Sequence, residues 1–226
     1  MRALVTGGCG FIGSHLVQNL AGQGHEVLVF DDLSSGRREN ITGMTARLIH
    51  ASIEDRHPLR EAMQGVDVVF HLAAMVSVPM SLERPSSCLR TNVVATSGVF
   101  EEAADAGVRT LVFASSAAVY GEPTTPIQDE GDLPHPTSPY GVSKVAGEQL
   151  GAIATELGQL RAVSLRFFNG YGPRQDPDSS YASAVSAFVS RALLGRPIEI
   201  HGDGLQVRDF VFVQDMVGSM LHAAAT

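Results

Sequence analysis

Thr6-Gly7-Gly8-Cys9-Gly10-Phe11-Ile12-Gly13 is the stretch that decides how the rest of the chain is read. It follows the apolar run Ala3-Leu4-Val5 and opens a segment of helical period over 11–21. Both the pattern Gly8, Gly10, Gly13 and the wider spacing Gly7, Gly10, Gly13 are satisfied. Glycines allow the tight turn and let backbone N–H groups approach a pyrophosphate, which then lies at the positive end of the helix dipole. A bare glycine run is more often a loop, but between a strand and an amphipathic helix it reads as a dinucleotide site. Asp31 ends the next strand-like run, where an acidic side chain accepts hydrogen bonds from the adenosine ribose hydroxyls and repels a 2′-phosphate. NAD is therefore expected over NADP. Arg37-Arg38 argue the other way, since they could meet a phosphate, but a solvated loop pair is the plainer reading. Asp32 is expected to shape the turn through Gly36.

Outward from this turn, short apolar, β-branched runs alternate with segments of helical period. Strands are expected over 3–5, 26–30, 47–50, 67–72, 110–115 and 162–168. Helices are expected over 11–21, 58–64, 92–106 and 140–157, each followed directly by a Gly. Repeated strand–helix units imply an α/β fold, a doubly wound parallel sheet covered on both faces. After Phe168 the texture changes: Asn169-Gly170-Tyr171-Gly172-Pro173-Arg174 and a polar loop through Ser180 mark the start of a smaller lobe. There a helix is expected over 182–194, then strands over 198–201 and 207–213 around the turn Gly202-Asp203-Gly204, then one more helix. The expected division is 1–170 for the dinucleotide-binding domain and 171–226 for a partial substrate lobe with elements returning to it.

The 226 residues, 44% hydrophobic and 18% charged, suffice for a sizeable core. A formal net charge of -8 argues against a nucleic-acid partner, whose phosphates would be repelled. Two cysteines, Cys9 and Cys88, cannot build a disulfide framework, and the eight histidines show no metal-ligand spacing with them, so no metal is expected. Met1-Arg2 runs straight into the apolar strand without room for a signal peptide, and no stretch is long enough to span a bilayer. The expectation is a cytoplasmic protein with no membrane partner.

Tyr140 and Lys144 stand four apart on the helix opened by Ser138-Pro139, which puts phenol and ammonium side by side. A cation within about 4–6 Å favours the phenolate, so a Tyr of reference pKa about 10 becomes a base near neutral pH. That suits removing a proton from an alcohol. With a dinucleotide as hydride acceptor, the two make an alcohol/ketone oxidoreduction site. Alone, Tyr-x-x-x-Lys is a weak motif and a solvated pair its plainer explanation; here the glycine turn and the upstream hydroxyls Ser115 and Ser116 agree with the chemistry.

Thr6-Gly7-x-x-Gly10-x-x-Gly13, Asp31-Asp32-Leu33-Ser34-Ser35-Gly36, His71-Leu72-Ala73-Ala74, Ser115-Ser116-Ala117, Tyr120-Gly121 and Tyr140-x-x-x-Lys144 occur in this order along essentially the whole chain. The combination resembles the extended short-chain dehydrogenase/reductase family, and within it the nucleotide-sugar epimerases of the UDP-glucose (UDP-galactose) 4-epimerase type. The resemblance implies a Rossmann domain and catalytic Ser116, Tyr140 and Lys144, with Ser115 as the fallback hydroxyl. It implies cofactor contacts at Gly7, Gly10, Phe11, Ile12, Gly13, Asp31, Asp32, Ser52, Ile53, Leu72, Ala73, Ala74, Asn92, Tyr140 and Lys144. Ser52 stands where relatives usually carry Asp, which replaces a charge-assisted bond near the adenine by a weaker hydroxyl contact. Asn169 and Arg208 correspond to residues that hold the sugar-nucleotide diphosphate, Arg208 offering a planar fork of donors. Residues near 198–200 are expected to line the base pocket.

The activity implied is NAD-dependent epimerisation at the sugar C4 through a 4-keto intermediate, on a UDP-hexose. Ala117 and Ala118 follow Ser116 where 4,6-dehydratases of the family carry acidic side chains, so elimination lacks its proton donors. A sugar or carbonyl dehydrogenase/reductase needs the same base and cofactor. A non-catalytic module binding NAD and a sugar nucleotide is the alternative from another class, because relatives continue with a further lobe segment and the lobe here is expected to be incomplete. Relatives also pair as homodimers through two helices, for which Val93, Val99, Leu150 and Ile153 are candidates.

Overall fold

Strand residues split by parity between two cores, as a sheet covered on both faces requires. Leu4, Leu28, Phe30, Val69, Leu111 and Phe113 enter one cluster; Ala3, Val5, Val27, Val29, Val68, Phe70 and Val112 enter the other. The structure is a computed structural model and describes residues 1–122, 127–176, 184–200 and 202–226. In chain order it contains β1 (Arg2–Thr6), α1 (Phe11–Gly22), β2 (Glu26–Asp31), β3 (Arg47–His50), α2 (Arg56–Met63), β4 (Val68–His71), α3 (Val78–Glu83) and α4 (Pro85–Leu89). A π-helical segment, Arg90–Ala95, leads without a break into α5 (Thr96–Asp105). Then follow β5 (Thr110–Ser116), α6 (Pro139–Glu156), β6 (Arg161–Phe167), β7 (Asn169–Tyr171), α7 (Ala184–Leu193), β8 (Phe210–Phe212) and α8 (Val213–Ala225).

The main sheet has the order β3-β2-β1-β4-β5-β6, every described pair parallel, in register Val5↔Val29, Val5↔Phe70, Phe70↔Val112 and Ser115↔Arg166. The chain reverses direction across the sheet between β1 and β4, and the crevice at such a reversal is where doubly wound sheets bind ligands. Leu16, Val17 and Leu20 of α1 with Val217, Met220 and Ala223 of α8 close one face; Leu59 and Met63 of α2, Val99 and Phe100 of α5 and Ala154 of α6 close the other.

All six expected strands of the sheet form, within a residue of their expected ends. Three of the four expected glycine stops hold, with Gly65, Gly107 and Gly158 left-handed just past α2, α5 and α6; at α1 Gly22 is still helical and the left-handed stop comes at Gly24, φ 76°. Three differences matter. The helix expected from Asn92 starts earlier, in α4, and α3 before it was not expected. Its signals were legible, since Ser77 accepts a hydrogen bond from Met80 N and Pro79 and Pro85 occupy first-turn positions. The strand expected over 198–201 is not one at 198–200, where Ile198 and Ile200 stay exposed, and His201 lies outside the described residues. The strand expected over 207–213 shrinks to β8, which pairs with β7 in parallel, Asn169↔Phe210, because that is the backbone edge within reach. The helix expected over 182–194 is seen as α7; 182 and 183 lie outside the described residues. The expected domain boundary after 170 falls inside β7, and α8 returns to pack on α1, β5 and β6. Val99 is fully buried and Leu150 packs on the core, so neither offers a surface for pairing; Ile153 is exposed.

One ion cluster ties α2 to α5. The Glu102 carboxylate is fully buried and accepts from Arg56 Nε at 3.0 Å, Arg60 Nε at 2.9 Å and Arg60 Nη2 at 3.0 Å. Gly98 makes the room: a Cβ there would come 2.7 Å from Arg56 Nη1. Hydrogen bonds from Arg60, then Arg56, hold the Glu102 carboxyl below its ordinary value against the opposing effect of burial. A carboxyl depressed in this way stabilises the fold fully above the ordinary Glu value of about 4.3, and the contribution is lost as pH falls through the lower folded value. Glu102→Gln is expected to lower stability at pH 7 by about 1.5–3 kcal/mol, the usual worth of a hydrogen bond to a charged partner. Thermal melts against pH check it, with the gap to the parent chain closing in acid.

Candidate active site

At the carboxyl ends of β1 and β2 the glycine turn leaves no room for side chains. Gly7 has φ 70° and donates its N–H to Phe30 O at 2.9 Å; a Cβ there would meet Ala73 N at 2.8 Å. A Cβ at Gly13 would lie 2.2 Å from Gly7 O, so α1 rests directly on the turn. Gly10 precedes α1 and supplies no capping side chain, and the first turn holds no acid. The backbone amides of Phe11, Ile12 and Gly13 thus begin a helix without the side-chain cap such ends usually have, as an anion-binding end requires.

Asp31, 6% exposed, accepts from Cys9 N and Leu33 N, each at 2.8 Å. Burial pushes its carboxyl above the ordinary value, and the two amides partly offset that. Leu33 takes φ 60°, and Gly36 fits so closely that a Cβ would come 2.9 Å from Asp31 Oδ1. Arg37 N and Asn40 Nδ2 both reach Cys9 O, which fastens the 31–40 segment over the turn. The Arg37 guanidinium is largely exposed, as expected, and makes a surface pair with Asp176 at 2.7 Å. Asp32 closes its own turn by accepting from Ser34 N. Ser52 Oγ accepts from Glu54 N, and Ile53 is buried in the core.

His71 braces the two halves. Thr6 Oγ1 accepts from Leu72 N and Ala73 N, both at 3.2 Å, which leaves its own proton for His71 Nδ1 at 2.7 Å. Nε2–H of the imidazole then donates to Thr96 Oγ1 at 2.9 Å. Burial, with the Lys144 charge adding to it, lowers His71 to about 3, so it stays neutral at working pH. Leu72, Ala73 and Ala74 are thereby held half-buried beside the glycine turn. Asn92, expected to face the cofactor, spends its amide on structure instead: it accepts from Met75 N at 2.8 Å and donates to Met75 O at 2.9 Å and Ser143 Oγ at 3.1 Å. It lies in the π-helical segment, a geometry that clusters at functional sites.

Ser138 caps α6 through Gly141 N, with Pro139 in the first turn. Tyr140 and Lys144 follow, 9% and 4% exposed. Lys144 Nζ donates to Ala114 O at 2.7 Å and sits 4.9 Å from the Phe113 ring centre and 5.6 Å from that of Tyr140. Ser116 ends β5, caps the next turn through Ala118 N and is the hydroxyl neighbour of the Tyr140 phenol. Ser115 faces away, donating to Glu148 Oε1 at 2.5 Å, which removes it as the fallback.

The expected lowering of the Tyr140 pKa by Lys144 does not occur. Burial dominates and raises it, Ser116 alone pulling down. Burial also lowers Lys144, to about 8. At pH 7 the pair is a neutral phenol beside an ammonium. Asn169 Nδ2 donates to Asp209 O, and the exposed Arg208 donates to Val207 O, so each spends a donor on a nearby backbone carbonyl. Unexpected from sequence were the His71 brace and an ion pair, Glu148–Arg166, behind Ser115; a basic residue on β6 and an acid one turn past Lys144 were the available signals.

Comparison with known proteins agrees with this geometry. The profile of the NAD dependent epimerase/dehydratase family matches residues 3–226, and the chain belongs to that enzyme family. The UDP-glucose 4-epimerase of Mycolicibacterium smegmatis is 41% identical, the match covering 99% of this chain and 73% of the relative. The UDP-N-acetyl-alpha-D-glucosaminuronate decarboxylase of Bacillus cytotoxicus is 36% identical over 98% of this chain and 70% of its own length. Among solved structures, the UDP-glucose 4-epimerase of Thermotoga maritima with UDP-glucose superposes with a TM-score of 0.93 at 41% identity, covering 99% of this chain and 73% of that one. The fold is Rossmann-like and the cofactor is NAD. No described helix is long and apolar enough to cross a membrane.

Gly13→Ala places a methyl against Gly7 O and is expected to weaken NAD binding at least tenfold, measured by isothermal titration calorimetry.

Proposed function

We propose that this chain interconverts UDP-galactose and UDP-glucose by epimerisation at C4, through a transient 4-keto sugar. The observation that carries the reading is the Tyr140 phenol held between Ser116 and the buried Lys144 ammonium, on the sheet edge that also bears the glycine turn. Tyr140 acts in its phenolate form, a minor species at pH 7: it takes the proton of the C4 hydroxyl, becomes the neutral phenol, and returns that proton to the oxygen of the opposite epimer. Ser116 holds that hydroxyl by a hydrogen bond as the proton moves, and the ammonium of Lys144, charged below about pH 8, favours the phenolate that accepts the proton. Bound NAD would supply a hydride acceptor and then donor at C4, which leaves no net redox change.

The amides of Phe11, Ile12 and Gly13 hold the pyrophosphate and Asp31 the adenosine ribose, with Leu72 to Ala74 as the groove wall. Asn169 and Arg208 hold the sugar-nucleotide diphosphate and carry affinity rather than chemistry, which requires both to turn from their present backbone partners. Residues 1–170 form the cofactor unit, and 171–226 supply part of the substrate lobe, with α8 returning to cover the sheet of the cofactor unit. Of the four candidate residues, the exposed Ile153 and the half-buried Val93 remain for the helical face through which a homodimer forms. Ala117 and Ala118 supply no acid or base for elimination.

Incubation with NAD and UDP-galactose is expected to yield UDP-glucose, and Tyr140→Phe to lower kcat by about 10²–10⁴-fold. Full turnover by that variant, or carbon dioxide release from a nucleotide-linked uronic acid in place of epimerisation, would move the assignment elsewhere. Asp31→Ala is expected to lower NAD affinity about tenfold while NADP, no longer repelled, gains on it in competitive titration.

A further inference from the structure

Ser115, Glu148, Arg166 and Tyr120 form a connected network directly behind Ser116. Ser115 Oγ donates to Glu148 Oε1 at 2.5 Å. Arg166 grips the same carboxylate as a fork, Nε to Oε1 at 3.0 Å and Nη2 to Oε2 at 2.8 Å, with the side chains 20% and 10% exposed. Its remaining nitrogen donates to Tyr120 OH at 3.0 Å and Glu130 O at 3.3 Å, and the guanidinium lies 4.9 Å from the Tyr120 ring centre. These contacts fasten both sides of Ser116. The residue before it is tied to α6 through Glu148, and the turn it caps, Ala117–Val119, ends in Tyr120. Glu148 shares its helical stripe with Lys144 and Tyr140, at four- and eight-residue spacing.

The angle and register of α6 on β5 set how the Tyr140 phenol meets Ser116. An apolar pair would hold the helix down as well; a bidentate fork adds direction, which two hydroxyls within hydrogen-bond reach need. We propose that Glu148 and Arg166 are positioning residues, acting through Ser115 and Tyr120 to keep Ser116 in line with Tyr140. The proposal rests on the alcohol-oxidation reading given above, in which that hydroxyl pair moves the proton.

The test reads the ionisation of Tyr140 itself. The chain has four tyrosines, and protein made with 3-fluorotyrosine brings their ionisation into a range the fold tolerates; fluorine NMR follows each, with Tyr140→Phe assigning the signal. Ser116, Lys144 and Cys88 are the groups that face the phenol. Ser115→Ala changes no charge and is expected to raise the Tyr140 midpoint by about one unit, a tenfold loss of phenolate, as the Ser116 bond loosens. Glu148→Gln separates the causes by sign: loss of a negative charge alone would lower the midpoint, whereas lost positioning raises it. In a Ser116→Ala background neither substitution is expected to move the midpoint further. In turnover both variants should lose about tenfold in kcat with KM unchanged, and Arg166→Lys, which lacks the fork, should not restore it. An unchanged or lowered midpoint in both variants, or full additivity with Ser116→Ala, overturns the proposal. Should Tyr140→Phe keep full turnover, the functional reading fails by itself, and the titration still decides the positioning claim.

Discussion

An ammonium sealed inside a helix–sheet interface is the constraint around which this molecule is arranged. Lys144 is fully charged only at a cost, and burial already lowers its pKa to about 8. What it gains is the Ala114 carbonyl, the face of Phe113 and the neighbouring Tyr140 ring. All three demand that α6 lie very close to β5. Gly147 makes that approach feasible, since a Cβ there would stand 2.3 Å from the Phe113 ring. The phenol then has no water to ionise into, and its pKa rises with burial although a cation stands beside it. The phenolate that does the chemistry is therefore a minor form, and the hydrogen bond from Ser116 that favours it makes the placement of Ser116 consequential.

The same economy of closeness builds the cofactor side. Thr6 cradles the amides of Leu72 and Ala73, His71 joins Thr6 to Thr96, and Asp31 takes amides from Cys9 and Leu33. All but the local Leu33 bond cross between elements far apart in sequence, so the groove is organised before anything binds. The lobe is the opposite case. No residue of α7 is fully buried, Leu193 and Val207 are 83% and 88% exposed, and the diphosphate candidates Asn169 and Arg208 spend their donors on nearby carbonyls. The half that bears the glycine turn is tied together by bonds between elements; the segment around α7 and β8 is thinly packed among the described residues.

Much of this was legible from local pattern. Short continuous apolar, β-branched runs located all six strands of the sheet, because a parallel strand buried on both faces has few other ways to be written. The glycine spacing, the acid at Asp31 and the Tyr140–Lys144 pair located the cofactor turn and the reactive edge, since one turn or one helix step fixes those geometries. Local pattern failed where partners were distant. An apolar run at 198–200 looked like a strand yet found no edge to join, and β8 was cut to the three residues that β7 can pair. Asn92 looked available to a ligand until Met75 and Ser143 claimed its amide.

The sequence by itself determined the alternation of elements, the uncapped glycine turn and which residue types stand at the reactive edge, because these follow from steric rules acting over a few residues. Tertiary structure alone decided which of two adjacent serines faces Tyr140, since strand parity and the reach of Glu148 across the sheet choose between them. It also decided the sign of the phenol's pKa shift. Desolvation depends on everything packed around a group, and no spacing along the chain records it.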